Sequence, residues 1–208
     1  MDSVEIENGF AGVGAGSWLV GRGQPAAFSG TVRRRPRKGW FLRDRAALDL
    51  VEAAGGKVKC ADARRPFLTH VPCAAEVFAV SAKVLLAPSA ARADAFLLKP
   101  VPMGARGAIG VTRFSSGWVV FATASRTARA ALAEGETLSV RPEALVAWTG
   151  KRPTGFCRKL SVWDVLLPRL PRDLMLTFYG PGVVWIEGAG GRNAADGCSA
   201  SGNRRRAV

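Results

Sequence analysis

The single histidine, His70, and the four cysteines, Cys60, Cys73, Cys157 and Cys198, are the side chains from which nucleophilic or metal chemistry would have to be built. A hydrolytic centre needs a nucleophile, a base and a group that orients the base. Cys73 follows His70 across Pro72, and that neighbourhood alone does not make a dyad. No two cysteines stand at C-x-x-C spacing, and one histidine cannot complete a Cys/His zinc set. Gly12-x-Gly14-x-Gly16 has the glycines of a phosphate loop. It lacks the G-x-G-x-x-G spacing, the Lys-Ser/Thr and the following helix, so these read as turn glycines. No catalytic residue, metal ligand or cofactor is therefore assigned, and no small-molecule substrate is evident.

Charge is the stronger signal. The 208 residues carry 30 Lys and Arg against 16 Asp and Glu, a formal net charge of +14. Such a balance favours contact with nucleic acid, anionic lipid or an acidic partner. Its densest stretch holds Arg33, Arg34, Arg35, Arg37, Lys38, Arg43 and Arg45, with Trp40 and Phe41 inside it. Guanidinium groups hold phosphates, and interleaved aromatics stack on bases. The same residues suit an anionic membrane surface. The plain alternative is a solvated loop whose two aromatics return to the core. The candidate polyanion site is Arg33, Arg34, Arg35, Arg37, Lys38, Trp40, Arg43 and Arg45.

The elements that must position these groups read as strands. Apolar residues make up 48% of the chain, enough for a core, so global disorder is excluded. The clearest stretch is Leu174 to Glu187, where apolar and β-branched residues flank Gly180-Pro181-Gly182. It reads as strand, tight turn, strand, a hairpin in which a glycine supplies positive φ. A second hairpin is expected from Ile109–Phe114 and Trp118–Phe121 about Ser115-Ser116-Gly117. Further strands are expected at 4–6, 18–20, 57–60, 96–98, 137–140, 144–148 and 162–167. Residues 74–87 read as one long strand or a bent pair. Residues 125–134 are ambiguous between helix and strand. The one helix expected is the Ala- and Leu-rich 46–54, capped by Asp44 and stopped by Gly55-Gly56. Many short strands at turn spacings of about 8–12 residues argue an all-β sandwich or barrel with one short helix. The sandwich is expected to occupy 1–188 as a single domain. The Gly- and Arg-rich 189–208 reads as a flexible basic tail.

No apolar run reaches the roughly 20 residues a membrane-spanning helix needs. The acidic start, Met1 to Glu7, resembles neither a secretory signal nor a transit peptide. Cysteine usage fits a reducing compartment.

Glu134-Gly-Glu-Thr-Leu-Ser-Val-Arg-Pro-Glu-Ala-Leu-Val-Ala-Trp148 and the later Phe178-Tyr-Gly-Pro-Gly-Val-Val-Trp185 are similar to the "altered inheritance of mitochondria" (mitochondrial biogenesis) family and its bacterial homologues. The likeness lies in Gly-Glu-x-Leu-x-Val, then Pro-x-x-Leu-Val-Ala, then Phe-x-Gly-Pro-Gly-x-Val-Trp, and covers about residues 105 to 188. The resemblance implies a β-sandwich like that of the trp RNA-binding attenuator protein, related to the double-stranded β-helix, and self-association, with a trimer favoured. It implies no catalytic residues. It implies the mitochondrial inner membrane in a eukaryote and the cytoplasm in a bacterium, not secretion. The function expected is a non-enzymatic structural or assembly protein at a membrane surface. The alternative is an RNA-binding module that uses the Arg-rich cluster.

Overall fold

A computed structural model describes residues 4–7, 10–21, 26–28, 30–36, 48–54, 57–62, 64–91, 93–99, 108–157, 170 and 173–188. The first unit of strands runs β1 (Glu5–Glu7), β2 (Phe10–Val13), β3 (Gly16–Gly21), β4 (Ala26–Phe28), β5 (Thr31–Pro36), β6 (Leu48–Ala54), β7 (Val58–Cys60) and β8 (Phe67–Pro72). Next come β9 (Val77–Val80), a 3-10 turn at Ser81–Lys83, β10 (Val84–Pro88), β11 (Ala93–Leu98), β12 (Ile109–Phe114), β13 (Trp118–Thr123) and β14 (Thr127–Leu132). The last are β15 (Thr137–Val140), β16 (Leu145–Thr149), β17 (Thr154–Cys157), β18 (Leu174–Tyr179) and β19 (Gly182–Glu187). The all-β sandwich expectation holds.

Four antiparallel sheets form: A, in the order β1-β2-β7-β4; B, β5-β6-β3-β10-β13-β8; C, β11-β12-β9-β16-β19-β14; and D, β15-β18-β17. Three buried clusters separate them. Ala11, Val13, Val58 and Cys60 of A meet Trp18, Val20, Val51 and Leu86 of B. The other face of B, with Leu19, Val119 and Phe121, meets Val77, Ala79, Phe114 and Val146 of C. The other face of C, with Phe78, Val111 and Trp148, meets Val140, Leu176 and Phe178 of D. Sheets B and C are thus buried on both faces, which explains runs such as Val119-Val120-Phe121 with no polar alternation.

The sheets repeat. Adding six to each strand number of sheet B gives the order of sheet C. Adding six again gives β17-β18-β15, which is sheet D, followed by places for three more strands. Subtracting six from β10-β13-β8 gives β4-β7-β2, which is the run in sheet A. The spacing from β3 to β9 and from β9 to β15 is about 60 residues. In the six-strand units β3–β8 and β9–β14, the second and fifth strands, β4 and β7 or β10 and β13, leave their own sheet and join the preceding one, as β16 and β19 do after β15. Successive units therefore share sheets, as repeat proteins share interfaces.

Three expectations are corrected. Residues 48–54 are the strand β6, not a helix. Val51 and Ala53 face one core and Leu48 and Leu50 the other. Helix propensity differs among ordinary residues by at most about 0.7 kcal/mol each, while burying a Leu or Val is worth roughly 1.5–3 kcal/mol, so tertiary burial wins. The Asp44 cap and the Gly55-Gly56 stop lie outside the described residues.

Neither expected hairpin is one. β18 pairs with β15 and β17, whereas β19 pairs with β14 and β16. β12 pairs with β11 and β9, whereas β13 pairs with β10 and β8. At Gly180-Pro181-Gly182 and at Ser115–Gly117 the chain crosses from one sheet to its neighbour. Each of the four arms lies inside its sheet with a partner on both edges, which leaves no edge for its sequence neighbour.

The 74–87 stretch is a bent pair, β9 in sheet C and β10 in sheet B, and the ambiguous 125–134 contains the strand β14. The expected strand at 162–167 and the tail from 189 lie outside the described residues.

Candidate functional site

Of the proposed polyanion site, Arg33, Arg34 and Arg35 fall on β5, at one edge of sheet B. Arg33 is exposed and stands opposite Glu52 in register. An exposed arginine such as Arg33 on an edge strand discourages pairing with another chain while leaving positive charge available to phosphates. Arg37, Lys38, Trp40, Arg43 and Arg45 lie outside the described residues, so the structure assembles only the start of this cluster.

His70 lies exposed on β8, the opposite edge of sheet B, with its ring 5.6 Å from that of Trp118. Partial burial against this neighbour holds its pKa below the ordinary histidine value. Cys73 is buried, and burial pushes its thiol up to about 11, the opposite of an activated nucleophile. Among the described residues, no group of three His, Cys, Asp or Glu side chains could hold a metal ion. The early glycines serve packing. The Trp18 indole donates to the Gly14 carbonyl at 3.1 Å, and a Cβ at Gly16 would stand 3.3 Å from the Trp18 ring.

The best-built polar centre is Lys83 with Glu187. Lys83 follows β9 in the 3-10 turn, and Glu187 ends β19. The Lys83 ammonium donates to Glu187 Oε2 at 2.6 Å and to the Glu143 carbonyl at 2.7 Å. Glu187 Oε1 accepts the backbone N–H groups of Ala124 and Ser125. Burial lowers the Lys83 pKa, with the hydrogen bond to Glu187 opposing it. Burial pushes Glu187 up, but the Lys83 bond and the two backbone donors outweigh it and hold the carboxyl below its ordinary value. Every partner is internal, so the pair ties the turn after β9 and the β13–β14 turn to the end of β19.

Sheet D presents the surface that sequence reasoning missed. Its inward face carries Leu174, Leu176, Phe178 and Val140. Its outward face carries Ser139, Thr154, Phe156, Met175, Thr177 and Tyr179. None of the residues of β15, β17 and β18 is charged. Phe156 is 61% exposed and Tyr179 45%, among the most exposed large apolar side chains described. Ser139 and Thr177 hydroxyls are 3.0 Å apart, and Thr154 Oγ1 is 3.2 Å from the Tyr179 hydroxyl. Such cross-strand pairs stabilise the pairing of β15 and β17 with β18. The signal was present in the alternation Met175-x-Thr177-x-Tyr179, but alternation does not tell an outer face from one awaiting cover.

No protein-family model matches the chain, and no curated protein is significantly similar to it. Among solved structures, the chain is similar to the crystal structure of protein SPYM3_0169 from Streptococcus pyogenes. The two share 14% identity with a TM-score of 0.69, over 91% of this chain and 93% of that one. At that identity the likeness concerns the fold.

Proposed function

We propose that this chain is a non-enzymatic structural or assembly protein that works as a homo-oligomer, in the manner of the mitochondrial-biogenesis family it resembles. The observation that carries the reading is the uncharged outer face of sheet D, which presents Phe156 and Tyr179 to solvent. Exposed apolar patches of this kind mark interaction sites. The Lys83–Glu187 centre supports the same reading, because its partners are spent on holding turns together. The trimer, the membrane surface and the mitochondrial or bacterial setting come from the resemblance and belong to this proposal. Light scattering on a sizing column tests it: the wild type elutes as a discrete oligomer, and Phe156→Lys with Tyr179→Lys shifts it towards monomer. A wild type that is monomeric up to high concentration overturns it.

A second reading, an RNA-binding module, is favoured by the three consecutive arginines on the edge strand β5. Nucleic acid retained through a moderate-salt wash supports it. So does a salt dependence of binding that flattens when Arg33, Arg34 and Arg35 are neutralised. An unchanged slope removes these arginines from that reading.

A further inference from the structure

The chain holds two complementary halves of a third six-stranded sheet. In sheet B the unit's own strands, β5-β6-β3, are followed by β10-β13 from the next unit. In sheet C, β11-β12-β9 are followed by β16-β19. The seam is antiparallel, with Leu19 opposite Ala87 in sheet B and Phe78 opposite Trp148 in sheet C. Sheet D supplies the equivalent own strands, β17-β18-β15, and stops there with β15 at its edge. Sheet A supplies the equivalent guest strands, β4-β7, followed by β2 in the place of β8, with β4 at its edge. Among the described residues, both edges therefore lack the partner that the repeat provides twice elsewhere.

The faces agree with this. The alternate residues of β3 and β9 that correspond to Ser139 are Leu19 and Phe78, and each packs against the next sheet. On the outer face of sheet D, Ser139, Thr154, Phe156 and Tyr179 are exposed and Met175 and Thr177 partly so. Sheets A and D are separate in the folded chain.

We propose that edge β15 of one copy takes edge β4 of a second copy, so that sheet D of one chain and sheet A of the next form one shared sheet, with the six-strand order of sheets B and C and β1 added at its far end. The occupant is a second copy because the guest strands that fit the repeat are this chain's own, and within one chain they form a sheet apart. The contact is head-to-tail, with different surfaces on the two sides. Backbone hydrogen bonds across the seam supply affinity, as in strand addition generally. The rows Val20–Leu86–Val120 and Ala79–Ala147–Trp185 set the register. Carrying them over at the same spacing of about 60 residues places Ala27 against Val140, and hence Phe28 against Ser139. This proposal rests on the self-association reading and names its surface.

The experiment is a cysteine pair, Ser139→Cys with Phe28→Cys, in a background where the native cysteines are replaced by alanine or serine. It is oxidised mildly and run without reductant, beside light scattering on the wild type. Disulfide-linked dimers and higher species that need both cysteines are the expected result. Single-cysteine variants should give none above a dimer. A bond formed within one chain, seen as a monomer that gains the 28–139 cross-linked peptide, overturns the second copy as occupant. No bond in a protein that is nevertheless oligomeric overturns this seam and leaves self-association standing. No bond in a monomeric protein overturns both. Ser139→Lys gives an independent check: the oligomer should fall to monomer with the melting temperature retained. An oligomer unchanged by Ser139→Lys counts against the seam.

Discussion

The ammonium of Lys83 stands 2.6 Å from the carboxylate of Glu187, and neither side chain is more than 15% exposed. Lys83 leads into sheet B and Glu187 closes a strand of sheet C. The pair is thus a polar bond between two layers that meet mainly through apolar side chains, beside the Thr123–Thr127 hydroxyl contact at 3.3 Å. Removing one partner strands the other charge and, for Glu187, the N–H groups of Ala124 and Ser125 as well. Glu187→Ala should therefore destabilise by about 3 kcal/mol, read from urea unfolding.

The same pair predicts a pH dependence. Glu187 is held below its ordinary value of 4.5. A depressed carboxyl contributes stability that is present above the unfolded value and lost as pH falls through the folded one. Unfolding free energy should drop below about pH 4.5, and Glu187→Gln should drop less steeply over that window. Parallel curves for the two proteins would assign the acid sensitivity to other carboxylates.

Trp148 is fully buried, stacked on Phe78 at 5.3 Å, and its indole N–H has no hydrogen-bond partner among the described residues. A buried orphan donor costs roughly 1–3 kcal/mol. Trp148→Phe removes that donor while keeping a ring in the stack, so it should change stability by less than about 1.5 kcal/mol. Trp148→Ala leaves a cavity and should cost about 3–5 kcal/mol. Equal losses in the two variants would show that the N–H is satisfied in solution.

Gly180 and Gly182 are required by close approach rather than by positive φ. A Cβ on Gly180 would fall 1.8 Å from the Ala133 carbonyl oxygen, and one on Gly182 would fall 2.7 Å from that of Thr149. Gly180→Ala should lower stability by about 2 kcal/mol or more, since the obstacle is backbone. Gly14→Ala meets nothing within 4 Å and serves as the control. A Gly180→Ala melting curve that overlays the wild type would refute the clamp.

Cys73 carries a thiol pushed up to about 11 by burial. At pH 8 it should react with a thiol reagent far more slowly than the partly exposed Cys157, and at an ordinary rate once unfolded. Rapid native-state labelling at Cys73, found by peptide mapping, would contradict the burial.

The sequence by itself determined that the chain is all-β, because β-branched and aromatic runs between Gly and Pro turns have no other stable use. It located most of the described strands, including β13 and β19. It also offered no local arrangement of nucleophile and base around His70. What only the tertiary structure decided is which strands pair. Leu174–Tyr179 and Gly182–Glu187 look like hairpin arms in any local window, yet they belong to different sheets. Hydrogen-bond partners are set by the place each arm takes inside its sheet, a property of the whole stack. The repeat of about 60 residues is hidden for the same reason. Its units keep the alternation of faces but not the residues, so Leu19, Phe78 and Ser139 occupy one place with three chemistries. Leu19 and Phe78 are covered by a following sheet and Ser139 is not, and no local pattern of residues records where the stack ends.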